Sequence, residues 1–203
     1  MKRALLLILA LGLAACSRRS EPMERCAPVD AGSPIDSLLL AFLSRARAAH
    51  HLADAHETEG DLAAAISPLD KLVTGPVPHA DTAGLAPEVR EVLADTRARL
   101  ADLRSRLGLF EQALSDVRAG LDAAREPNYF RGHLLETQGL VEERHAKALE
   151  KSDPKAAAEI RKQAIALLEQ AMAVQSGVLE AAPAASAGTS NSAASAPPAA
   201  STR

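Results

Sequence analysis

Six histidines (His50, His51, His56, His79, His133 and His145) and two cysteines (Cys16 and Cys26) are the most versatile side chains of this 203-residue sequence. An enzyme needs several such groups to converge with carboxylates or a nucleophile. His50 and Asp54 are four residues apart and Glu57 follows three later, so one helix face would carry all three. An imidazole and two carboxylates make a weak cation site, but a solvated polar face explains the same spacing better. His51 and His56 are five apart and do not share a face. Glu142, Glu143 and His145 fall in a highly charged stretch that reads as an exposed surface, not an acid–base dyad. GDLAAA (60–65) lacks the lysine of a phosphate-binding loop. Neither a Gly-x-Ser-x-Gly elbow nor a Cys–His arrangement with supporting context occurs. The expectation is therefore no catalysis, no metal, no cofactor and no small-molecule substrate.

The chemistry that does stand out is at Cys16. The chain opens MKRALLLILALGLAAC: Lys2 and Arg3, then an apolar run over 4–14 broken only by Gly12, then small Ala14 and Ala15. A membrane-spanning helix needs about 20 apolar residues, and Ser17, Arg18 and Arg19 end this run too soon. A positive start, short apolar core and small-residue cleavage site describe a secretory signal. Leu13-Ala14-Ala15-Cys16 further resembles the lipobox of bacterial lipoproteins. That resemblance implies a diacylglyceryl group on the Cys16 thiol, cleavage just before it and acylation of the new amino terminus. Several acyl chains anchor far better than one, each buried CH₂ contributing about 0.8 kcal/mol. Ser17, where an Asp would resemble an inner-membrane retention signal, implies an outer-membrane location facing the periplasm. The bland alternative is an ordinary signal peptide whose cysteine is incidental.

Removal of residues 1–15 leaves 188 residues, enough for one domain with tails. The net charge of −3 offers no basic field for nucleic acid. Aromatic residues are 2% of the chain, so a core must come from Leu, Ala, Val and Ile. With Cys16 lipidated, Cys26 has no partner within the chain. It would be either an idle thiol or an intermolecular disulfide in an oxidising periplasm.

Residues 16–34 lack periodicity and hold Pro, Gly and charges, which suits a lipidated flexible tether. Residues 181–203 are mostly Ala, Ser and Pro and suit a disordered tail. The span 35–180 carries helical signals. A first helix runs to Glu59, with Leu39, Phe42, Leu43, Ala46, Ala49 and Ala53 on one face. A second runs over 61–73, kinked by Pro68. A third runs from Pro87 to about 106, with Leu93, Thr96, Leu100, Leu103 and Leu107 as its seam. A fourth covers 109–124, and a fifth starts at Glu126-Pro127 and lasts to about Lys151. The sixth begins after Ser152-Asp153-Pro154, a capping side chain followed by a first-turn proline, and ends near 180. No alternating strand pattern is present. The fold class is all-α: about six helices in antiparallel hairpins.

GDLAAAISPLDKLV (60–73) and GLFEQALSDVRAGL (108–121) share a turn glycine, an Ala five residues on and apolar residues at like spacing. The pattern resembles the tetratricopeptide repeat. Matching residues are Leu52, Ala53, Gly60, Leu62, Ala65 and Leu69, then Leu100, Ala101, Gly108, Phe110, Ala113, Val117 and Gly120. Pro127 lies near the family's usual terminal proline. Ala164, Leu168 and Ala171 match a second helix only. Departures are clear. His56 and Arg104 stand at the family's aromatic positions and Leu72 at a usually small one. Gly60 and Gly108 are 48 residues apart against the family's 34. The excess equals the loop TGPVPHADTAGLAP (74–87). The resemblance implies a short tetratricopeptide-like array whose ends must cap themselves or be covered by a partner. It also implies a concave groove lined by Arg47, His50, Asp54 and Glu57, then by Asp95, Ala98, Asp102 and Ser105. Such a mixed, slightly acidic surface suits a helix or a basic peptide. The loop 74–87 is a second candidate contact. Together these imply a lipid-anchored scaffold or assembly factor for an unidentified envelope protein complex. The alternative is a passive lipoprotein spacing the membrane from the cell wall.

Overall fold

The computed structural model describes residues 36–78 and 84–186. The lipobox, the whole of the 16–34 tether with Cys26, residues 79–83 of the loop with His79, and residues 187–203 lie outside the described residues. Six helices are present: α1 (Ser37–Thr58), α2 (Leu62–Thr74), α3 (Pro87–Arg106), α4 (Phe110–Ala123), α5 (Tyr129–Leu149) and α6 (Pro154–Ser186). The described residues contain no strand.

Local chemistry sets the boundaries. The Asp36 carboxylate accepts from the Leu38 amide (2.8 Å), Asp61 from Ala64 (2.8 Å) and Asp153 from Ala156 (3.0 Å). Each satisfies an amide that lacks an intrahelical acceptor. The fifth helix begins later than expected. Asn128, not Glu126-Pro127, caps it, its side chain accepting from the Arg131 amide at 2.9 Å. The sixth extends to Ser186, six residues past the expected end, because Ala-rich sequence propagates a helix. The chain stays helical through Pro68. Gly60 (φ 81°) and Gly108 (φ 77°) close the first helices of two hairpins in the left-handed region, where a Cβ is strained.

Helices pair in sequence: α1 with α2, α3 with α4, α5 with α6. α3 also lies on α1 and α2, and α5 on α3 and α4; the first and third hairpins do not touch among the described residues. Contacts of this neighbour-only kind define a stacked array rather than a closed bundle. Small residues set the close crossings. Ala53 clusters with Ala65, and Ala101 with Ala113. A Cβ on Gly139 would lie 3.1 Å from the Ala164 carbonyl, and one on Gly132 3.7 Å from that of Ala171. These pairs run in opposite senses along the two chains, so the α5–α6 hairpin is antiparallel.

Larger residues fill the gaps between hairpins. Leu69, Leu72, Leu100, Leu103 and Leu134 are fully buried, each contributing about 1.5–3 kcal/mol. The seam of α3 is shorter than expected. Leu107 is 42% exposed, because it forms the helix C-cap beside Gly108. Part of the inserted loop belongs to the core: Val77, Leu85 and Ala86 pack with Phe42, Leu72 and Val89. Arg45 donates to the Pro76 carbonyl.

Candidate functional site

The first helices α1, α3 and α5 share one face, and the expected groove residues of α1 and α3 lie along it. Taking Ala53 and Ala101 as equivalent centres, residues three before and one and four after meet the next hairpin. For α1 these are His50, Asp54 and Glu57. For α3 they are Ala98, Asp102 and Ser105.

Most of these charges are already engaged by arginines from the neighbouring helix. Arg99 of α3 donates to Asp54 and, at 2.9 Å, to Glu57. Arg106 reaches Glu57 at 2.5 Å and Asp102 at 3.5 Å. One joint further on, Arg144 of α5 reaches Asp102 at 2.8 Å and the Ser105 hydroxyl at 2.8 Å. The result is a ladder of ion pairs running from α1 through α3 to α5. His50, Asp54 and Glu57 do converge, but on the Arg99 guanidinium. Among the described residues no three metal-ligating side chains come together to hold an ion.

The tautomer of His50 follows from its partners. Thr96 Oγ1 donates to the Val92 carbonyl (2.7 Å), so it accepts from His50 Nε2–H at 3.0 Å. Nδ1 then presents its lone pair to Arg99, 3.4 Å away. Burial lowers the imidazole's pKa below its ordinary value; Arg99 adds to the effect while Asp95 and Asp54 oppose it. The bond from Arg99 holds the Asp54 carboxyl below its usual range. For Glu57 the bond from Arg106 does most of this, with Arg99 contributing. Arg47 is exposed and Asp95 half-buried, and neither forms an ion pair among the described residues. They are the expected groove charges left available.

A second network escaped sequence reasoning. Asp116 of α4 has a side chain only 2% exposed. Arg97 reaches it at 2.6 Å, and Arg104 also donates to it. Arg104 in turn holds both oxygens of Asp70 on α2, at 2.6 and 2.7 Å. One guanidinium thus ties α2, α3 and α4 together. The available signal was an arginine, Arg104, where the repeat that the sequence resembles would place an aromatic ring. Glu142 and His145 also differ from expectation. They are half-buried, and the His145 ring stacks on Phe110 with centroids 4.6 Å apart. A planar ring on α5 finds an aromatic partner at the start of α4.

Hollows are also present among the described residues. One of about 360 Å³ sits between the start of α3 and the α4–α5 turn, lined by Leu85, Arg90, Glu91, Arg125 and Phe130. A shallower groove of about 570 Å³ runs along α6 beside Pro127, Val174, Gly177 and Val178.

No protein-family model matches the sequence, and no curated protein matches it. Function therefore rests on the chain's own residues. Paired carboxylates and guanidiniums staple helices together at fixed spacing, and the chemistry of this face is ion pairing.

Proposed function

We propose that this chain is a lipid-anchored scaffold that holds a protein partner at the bacterial cell envelope, at the periplasmic face of the outer membrane. The observation that carries the reading is the neighbour-only stacking of three hairpins, with arginine rungs along α1, α3 and α5. An array of this kind keeps a long face at a fixed curvature, and such faces serve to bind other chains. The likeness to tetratricopeptide repeats supports the same use of first helices. The lipobox resemblance at Leu13-Ala14-Ala15-Cys16 supplies the anchor, with the diacylglyceryl group on Cys16. Arg47 and Asp95 are the contacts we assign to the partner, because the other groove charges close the joints.

The test is capture from native membranes in mild detergent after gentle cross-linking, with proteins identified by mass spectrometry. The wild-type chain recovers one recurring envelope protein, and Cys16→Ala loses both the membrane fraction and that protein. Recovery of abundant background proteins alone contradicts the scaffold.

A further inference from the structure

The array repeats one joint, and its last copy is open. Counting from the small residue of each second helix (Ala65, Ala113 and Ala164), the residues one, four and eight later are apolar in all three hairpins. In the first, Ile66, Leu69 and Val73 pack with Leu100 and Leu103 arriving from α3. In the second, Leu114, Val117 and Leu121 pack with Val141 and Leu134 arriving from α5. In the third they are Ile165, Leu168 and Met172, and among the described residues no helix arrives. Ile165 is 53% and Met172 67% exposed. The first helices agree. Asp54 and Glu57, and then Asp102 and Ser105, bind an arginine of the next hairpin. Counting from Gly139, their counterparts are Leu140, 36% exposed, and Glu143, also exposed.

The other end of the array carries the matching half. Leu100 stands just before Ala101 and inserts into the first hairpin. Leu52 stands just before Ala53 and, with no hairpin to enter among the described residues, is 50% exposed. Ala48, His51 and Ala55 are exposed on the same side of α1. His51 holds the place of Arg99, whose partner Glu57 corresponds to Glu143. Both acidic residues of α1 are already bound by Arg99, so this side presents no free carboxylate to repel Glu143.

We infer that copies of this chain stack head to tail, with α1 of one copy seated on the open α5–α6 face of the next as α3 is seated on α1 and α2. A second copy covers both apolar ends with one kind of contact, whereas a foreign helix would cover one end only. The contact is heterologous, so it propagates rather than closing at a dimer. This inference is independent of the lipid anchor and of any partner at Arg47 and Asp95.

The test uses the full-length chain in mild detergent with a reductant, so that Cys26 contributes no covalent link, and reads mass by sedimentation. Leu52→Glu removes the head and Met172→Glu the tail; both residues are exposed, and circular dichroism checks that each variant keeps its helices. Wild type shows mass rising with concentration through dimer and beyond. Each variant alone is monomeric, and an equimolar mixture gives a dimer, because one intact head meets one intact tail. A monomeric wild type overturns the inference. So does association that survives in both variants, or that is lost only when residues 187–203 are removed.

Discussion

At the scale of single residues, the molecule is held by charges that sequence spacing alone would leave in solvent. His50 and the carboxylates beside it make this visible as a pH dependence. The unfolded imidazole titrates near about pH 6.5, and burial lowers that value in the fold. As pH drops below about 6.5 the unfolded chain therefore binds more protons than the folded one, and stability is lost on acidification. Asp54 and Glu57 are depressed instead by bonds from Arg99 and Arg106. Their contribution is present above the unfolded carboxylate range and is lost as pH drops through their folded values. The thermal midpoint should fall in two steps on acidification, and His50→Gln should remove only the first. A midpoint flat between about pH 7 and 5 in the wild-type chain would contradict the role given to His50. Asp116 tests the second network. Removing its carboxylate leaves Arg97 and Arg104 without their shared partner in a largely dry position. Asp116→Ala should cost about 3–5 kcal/mol in denaturant unfolding, whereas an ordinary surface substitution stays within about 0.5 kcal/mol.

At the scale of helices, much was legible because the signals are local. Asp61, Asp153 and the glycines at 60 and 108 act within a turn of where they stand, so the hairpins could be read from them. The small residues Ala65, Ala113 and Ala164 were legible as close crossings for the same reason. The arginine rungs were not, because each joins residues 39 to 49 positions apart and Arg99 looks like any solvated charge. Helix ends were misplaced where a weak signal competed with a stronger one: Asn128 outranks Pro127, and the alanine run carries α6 onward. Two glycines separate propensity from packing. A Cβ on Gly139 would sit 2.8 Å from Leu168 Cγ and 3.1 Å from the Ala164 carbonyl, while one on Gly177 meets nothing within 4 Å. Helix propensity favours Ala over Gly by about 1 kcal/mol at either place. Gly177→Ala should therefore stabilise by up to that amount. Gly139→Ala should destabilise by about 1–3 kcal/mol, because overpacking outweighs propensity. Thermal melts of the two variants settle it, and equal shifts would mean that α5 and α6 are not closely crossed.

At the scale of the whole molecule, three hairpins make an array with two ends and one long face. Stacking was foreseeable from the repeated Gly-to-Ala spacing. The filling of the face by its own arginines was not, and it shifts the assignment of binding residues. Asp102 and Glu57 belong to the joints, so reversing them would loosen the array and report on folding. Arg47 and Asp95 form no ion pair in the joints and report on the face itself. The most direct test of the scaffold is the partner captured from native membranes, compared quantitatively between two forms of the full chain. One carries Arg47→Glu with Asp95→Lys, and the other lacks residues 187–203. The scaffold account expects the charge-reversed form to lose the partner while the truncated form keeps it. Retention by the charge-reversed form together with loss on truncation would contradict it and point to a spacer that works through its tail.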